Sequence, residues 1–280
     1  NNKSGRFIMQ RSKPSKIARI LIIAGSDSGG GAGIQGDIKT ITCLGGYAAT
    51  AITALTAQNT LGVFAIHDVP EDFIASQIKL VLDDIGADAL KTGMLNKESV
   101  INVVADTISA YPNIPLVLDP VMFAKGGASL LPASALATLK SRLIPRATII
   151  TPNIPEAEYL AETPIKTIAD MNIAAQKILA LGCKSVLLKG GHLEGKTVTD
   201  LLLTENGKTI FEQPRISSKN THGTGCALAS AIATGIAQKL SLEEAVSRAR
   251  SYVLEAIRTA PNLGKGHGAL NHGHTVNEFY

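Results

Sequence analysis

Residues 220–226 read Asn-Thr-His-Gly-Thr-Gly-Cys and run straight into Ala227-Leu228-Ala229-Ser230-Ala231-Ile232-Ala233, a stretch rich in helix formers. The first N–H groups of a helix have no partner within it, and the helix dipole favours negative charge there. Glycines 223 and 225 let a ligand approach closely, and Thr224 adds a hydroxyl. This is the pattern of an anion cradle with a cysteine at its lip. A thiol at a helix N-terminus can have its pKa lowered, which makes Cys226 a candidate base or nucleophile. The same spacing also suits an ordinary loop-to-helix turn that buries Cys226 as a small apolar side chain.

A second glycine-rich stretch, Gly25-Ser26-Asp27-Ser28-Gly29-Gly30-Gly31-Ala32-Gly33-Ile34-Gln35-Gly36-Asp37, contains GxGxxG at Gly31, Gly33 and Gly36. A dinucleotide site with that fingerprint also needs an acid about twenty residues further on. After Asp37 the next acid is Asp68, so the fingerprint is incomplete; no GxxxxGK[ST] occurs either. Asp37 sits early in a helix, either as a favourable terminal charge or as an acceptor for a ligand amine. Leu118-Asp119-Pro120 and Thr151-Pro152-Asn153-Ile154-Pro155-Glu156 place carboxylates after strands. Such carboxylates suit Mg²⁺ held jointly with phosphates, although Glu156 also reads as a first-turn helix charge. Lys189, before Gly190-Gly191, is a candidate phosphate contact or a solvated edge charge. The histidines show no HExxH zinc spacing.

The elements that must position these residues alternate. Apolar β-branched runs at 20–24, 49–52, 89–91, 116–118, 148–150 and 185–188 read as strands buried on both faces. Helical patterns lie at 34–44, 70–85, 97–110, 132–142 and 168–181, and two more helices, 226–239 and 242–260, close the chain. Segments 198–204 and 209–212 read as a hairpin turning at Glu205-Asn206-Gly207-Lys208. The expectation is an α/β fold with a doubly wound, mostly parallel sheet and right-handed crossovers. Ligands in such sheets bind beyond the carboxyl ends of the strands, where the glycine and acid punctuation falls.

Composition narrows the function. The 280 residues are 45% hydrophobic with a net charge of +4. Six of the 27 basic residues lie within residues 1–19, which hold no acid, leaving 21 basic against 23 acidic side chains. The body is not a basic surface, and no nucleic-acid partner is expected. Residues 1–17 read as a disordered or added basic tail and 18–280 as one domain. No apolar run approaches the ~20 residues of a membrane span. Cys43, Cys183 and Cys226 form neither a disulfide framework nor a metal knuckle, which fits a reducing cytoplasm.

Taken together, AGSD…GGAGIQGD, TALTAQNT, KTGML, LDPVM, TPNIPEAE, LLKGGH, NTHGTGC and GKGHGALNH, collinear from about residue 18 to 272, resemble the hydroxymethylpyrimidine/phosphomethylpyrimidine kinases of the ribokinase-like superfamily. The resemblance implies a three-layer α/β/α fold around a central, mostly parallel sheet, with a pyrimidine pocket meeting an ATP groove at the GTGC turn. It implies Asp37 and Gln58 hydrogen-bonding an aminopyrimidine, walled by Ala32, Met94 and Val121. Cys226 stands as general base, with the N–H groups of Gly223, Thr224 and Gly225 as anion hole. Asp119, Asn153 and Glu156 fall on the Mg²⁺ and phosphate side, Asp119 and Glu156 as metal ligands, and Lys189 and Thr221 on the nucleotide side. ATP and Mg²⁺ are the implied cofactors and a homodimer the implied assembly. Three positions depart from the pattern: Gly29 where serine is usual, Gly36 for alanine and Ala269 for proline. A vitamin B6 kinase on the same fold and a non-catalytic dinucleotide-binding module are the competing readings.

Overall fold

The computed structural model describes residues 16–123 and 129–276; the expected tail lies almost wholly outside them. Nine strands form one sheet. In chain order they are β1 (Arg19–Asp27), β2 (Tyr47–Asn59), β3 (Gly62–Asp68), β4 (Ala89–Thr92), β5 (Leu116–Leu118), β6 (Ile149–Ile150), β7 (Ser185–Lys189), β8 (Thr197–Thr204) and β9 (Gly207–Pro214). The spatial order is β3-β2-β1-β4-β5-β6-β7-β8-β9. Neighbours from β2 to β7 run parallel, and β3, β8 and β9 join antiparallel at the edges.

The two-residue period of a strand builds both cores. Leu21, Ile23, Leu90, Leu116, Leu118, Val186 and Leu188 face one side. They are covered there by α2 (Glu71–Asp84), α3 (Glu98–Ile108), α4 (Ala133–Thr138), α5 (Ile154–Ala161) and α6 (Ile168–Leu179). Their neighbours Ile20, Ile22, Ala89, Val117 and Leu187 face the other, under α1 (Gly33–Cys43), α7 (Thr224–Ala237) and α8 (Leu242–Arg258). The three layers are those expected. Among the described residues, no helix is long and apolar enough to cross a membrane.

Differences from the sequence reading fall at the edges. β2 extends to Asn59 and turns into β3, which the sequence did not reveal because Phe64 and Ile66 stand exposed at the sheet edge without polar alternation. α5 begins inside the Pro152–Pro155 punctuation, where Asn153 and Glu156 close a capping box. The helix expected at 132–142 gives way after Thr138 to a wider turn over Leu139–Leu143. In the hairpin, Thr204 pairs with Gly207, so the loop is Glu205-Asn206 alone.

Candidate active site

The carboxyl ends of β1, β4, β5 and β7 surround the N-terminus of α7, the helix that follows the Gly223–Gly225 turn. That helix is almost entirely buried, as its Ala-rich sequence allows, and α8 packs closely enough that a Cβ on Gly235 would lie 2.7 Å from the Ala245 Cβ. Gly223 caps the helix at φ 85°, a left-handed conformation that favours glycine. A side chain there would also run into the carbonyl oxygen of Gly31. The two glycine-rich loops therefore interlock. The Thr224 N–H leans back on the Thr221 carbonyl at 3.3 Å, and its hydroxyl donates to the same oxygen at 2.7 Å.

Lys189 reaches over this turn. Its Nζ lies 3.3 Å from where a Gly225 Cβ would stand and 3.6 Å from Asp119 Oδ1. Asp119 also accepts the Thr151 hydroxyl at 3.0 Å. Glu156 accepts the Asn153 N–H at 2.9 Å and faces the Met122 N–H at 3.4 Å. Burial pushes the Glu156 carboxyl up to about 7; Lys189 opposes the rise and Asp119 adds to it. Asn153, Glu156, Asp119 and Lys189 thus meet as one charged cluster beside the α7 turn.

Two expectations are corrected. Asp37 offers no surface to a ligand: it is fully buried, and both its oxygens lie 2.9 Å from the Lys91 ammonium, with the Ser230 hydroxyl donating at 2.6 Å. It is the counter-ion of a lysine that is itself fully buried. Burial disfavours the Lys91 charge, but Asp37, with Cys226 and Asp119 nearby, holds its pKa above the usual range. Nor is the Cys226 thiol acidified by the helix end. Burial pushes it up to about 11, against the pull of Lys91 and a hydrogen bond from the Gly33 N–H. Desolvation outweighs the dipole here.

Gln58, Ala32, Met94 and Val121 are all half-buried at this rim. The Met94 thioether methyl fills the space that a Gly25 side chain would need. Gln58 lies beside His222, and the Ala32 N–H donates to Asp27 at 2.9 Å. Asp27 was not among the expected site residues, although an acid closing the first strand was a visible signal. It is 3% exposed and accepts the N–H groups of Gly29 (2.7 Å) and Gly31 (3.1 Å) and the His222 ring (2.8 Å) as well. The glycine loop that would hold a pyrophosphate in a dinucleotide site is therefore already filled by an internal carboxylate. Lys91 was missed too; a lysine inside an apolar strand was its signal.

This sheet and this cradle define a phosphoryl-transfer enzyme of the ribokinase-like class. The family model of phosphomethylpyrimidine kinase matches residues 27–271, and the chain belongs to that family. It is 44% identical over 254 residues to the hydroxymethylpyrimidine/phosphomethylpyrimidine kinase of Escherichia coli K12, covering 90% of this chain and 96% of that one. It is 50% identical over 266 residues to the thiamine biosynthesis bifunctional protein ThiED of Geobacter sulfurreducens, covering 95% of this chain. The chain spans about half of that relative's length, 54%. An ADP complex of Bacillus subtilis pyridoxal kinase superposes with a TM-score of 0.84 at 34% identity, covering 92% of this chain and 98% of that one.

Proposed function

We propose that the chain transfers a phosphoryl group from ATP to the hydroxymethyl group of 4-amino-5-hydroxymethyl-2-methylpyrimidine, and then to the resulting monophosphate, in thiamin synthesis. The observation that carries this reading is the convergence of Cys226, Lys189 and the Gly223–Gly225 turn at the sheet's carboxyl edge. Cys226 takes the proton from the substrate hydroxyl. The N–H groups of Gly223, Thr224 and Gly225 and the Lys189 ammonium stabilise the charge on the transferred phosphoryl. Gln58 hydrogen-bonds the aminopyrimidine edge, and Ala32, Met94 and Val121 wall the ring. Asn153 and Thr221 serve the nucleotide side. We read residues 18–280 as one domain, a reading supported by the single continuous sheet. The three free cysteines favour the cytoplasm, and the exposed Leu61, Phe64 and Ile66 on the β2–β3 hairpin favour a homodimer.

Mg²⁺ fits the acidic side of this cluster. Asp119 and Glu156 are both nearly inaccessible, and their mutual repulsion is what a cation would relieve. Two carboxylates suit an ion held jointly with nucleotide phosphates. When bound, it neutralises charge on the transferring group. Protons and Mg²⁺ then compete for Glu156. With its pKa near 7, the carboxylate fraction rises between roughly pH 6 and 8, so the Mg²⁺ concentration for half-maximal rate should fall across that window. Glu156→Gln should raise that concentration and flatten its pH dependence. An unchanged titration would leave Glu156 as a helix cap alone.

A vitamin B6 kinase is the second reading, favoured by the likeness to pyridoxal kinase. Gln58 separates the two, because its amide can pair with a ring nitrogen and an amine together and a pyridoxal ring lacks the amine. Gln58→Met should lower kcat/KM for the aminopyrimidine by about tenfold or more and leave any pyridoxal turnover nearly unchanged. A parallel fall for both acceptors would mean that Gln58 only supports the pocket.

A further inference from the structure

Lys189 is the last residue of β7, and the peptide planes on both sides of its Cα are held. On the amino side its N–H donates to the Pro152 carbonyl at 2.9 Å, next to Asn153, whose own N–H is taken by Glu156. On the carboxyl side the ladder with β8 ends at the Lys189–Asp200 pair, and the chain turns away. The buried N–H of Gly190 still needs an acceptor. The Asp200 side chain supplies one, with Oδ1 at 2.9 Å. Two fixed peptide planes leave a single direction for the Lys189 Cα–Cβ bond.

Asp200 is itself held from the helix layer. Its Oδ2 accepts the Nε hydrogen of Arg250, on α8, at 2.8 Å, and both residues are buried. The Arg250 guanidinium also donates to the carbonyls of Val198 on β8 (3.4 Å) and Phe211 on β9 (3.2 Å), and it lies 5.5 Å from the centre of the Phe211 ring. The loop after β7 presses directly on β8, where a Cβ on Gly190 would run into the Thr199 carbonyl oxygen. For stability, a buried ion pair does little that apolar side chains of the same volume would not do as well. An apolar pair, however, offers Gly190 no acceptor.

We propose that Asp200 and Arg250 are positioning residues for the phosphoryl transfer: by holding the Gly190 N–H they aim the Lys189 ammonium at the anion cradle of the α7 turn. The aim matters because that ammonium sits in a crowded cluster, 3.6 Å from Asp119 Oδ1 and close over Gly225. A strand end free to rotate would spread the charge over several positions. Stabilisation of a developing charge depends on groups fixed beforehand. Both residues act through Lys189, and the inference rests on Lys189 stabilising the transferred phosphoryl group.

The experiment compares two double variants by urea midpoint, by kcat at saturating ATP and hydroxymethylpyrimidine, and by KM for the pyrimidine. Asp200→Asn with Arg250→Gln keeps an amide oxygen for the Gly190 N–H, and the glutamine amide stands at the reach of Arg250 Nε. Asp200→Leu with Arg250→Met fills the same space without an acceptor. The amide pair should retain most of the wild-type kcat. The apolar pair should have a urea midpoint at or above that of the amide pair and yet lose about 10- to 100-fold in kcat, with KM for the pyrimidine unchanged. Lys189→Met should lose about 10²-fold or more in kcat. In that background the apolar pair should lose almost nothing further, because residues acting as a unit are not additive. Should the apolar pair fail to fold, Asp200→Ala with Arg250→Gln, which also leaves Gly190 without an acceptor, takes its place. Equal kcat for the amide and apolar pairs, or additive losses with Lys189→Met, would overturn the proposal and leave the ion pair as a clasp between β8, β9 and α8. A full kcat in Lys189→Met would instead remove the phosphate role of Lys189, and the proposal with it.

Discussion

Cys226→Ala is expected to slow phosphorylation of the free hydroxymethylpyrimidine by at least about 10²-fold, and phosphorylation of its monophosphate far less. In the first reaction the nucleophile is an alcohol that must lose a proton as it attacks. In the second it is a phosphate oxygen whose group has a second pKa near 6 and is already mostly ionised at neutral pH. Only the first needs a base. Because burial pushes the Cys226 thiol up to about 11, little thiolate exists at neutral pH. The first step in the wild type should therefore accelerate as pH rises toward that value, by up to about tenfold per unit, and the alanine variant should lose that slope. Single-turnover rates with the two acceptors are the measurement. An equal fall in both steps would mean that Cys226 shapes the turn and accepts no proton.

The second large effect is on stability. Asp37→Ala strands the Lys91 ammonium in a site with no access to water and should cost about 3–5 kcal/mol. Replacing both partners with apolar residues of similar size, Asp37→Leu with Lys91→Met, removes the charges together. That double variant should recover most of the loss, although the Ser230 hydroxyl would lose its acceptor. Urea midpoints at constant slope report the difference. A single variant within about 1 kcal/mol of wild type would contradict the assignment of Asp37 as a buried counter-ion.

Asp37 also marks where sequence reasoning stopped. Its place beside the glycine loop was plain, but its partner Lys91 lies 54 residues away. Only the pairing of β1 with β4 brings them together. The same holds for Cys226. A helix N-terminus is a local feature and argues for an acidic thiol, whereas the desolvation that reverses the sign comes from packing. The layers of the sheet were legible because apolar runs such as Leu116–Leu118 carry both cores, and the strand-end acids and glycines were legible as punctuation. β3 was not, since its apolar side chains face outward: Phe64 is 70% exposed and nothing alternates. The glycine loop shows the limit of a motif. Gly31, Gly33 and Gly36 match a dinucleotide fingerprint letter for letter, yet Asp27, four residues before Gly31, already takes up the N–H groups of Gly29, Gly31 and Ala32.

The central claim, one cradle phosphorylating an aminopyrimidine alcohol and then its monophosphate, is tested most directly by following product formation with ATP and three acceptors in parallel. These are the hydroxymethylpyrimidine, its monophosphate and pyridoxal, each scored as kcat/KM with the purified chain. The account predicts turnover of both pyrimidines, with the diphosphate as final product and pyridoxal the poorest acceptor. Efficient phosphorylation of pyridoxal with neither pyrimidine consumed would contradict it.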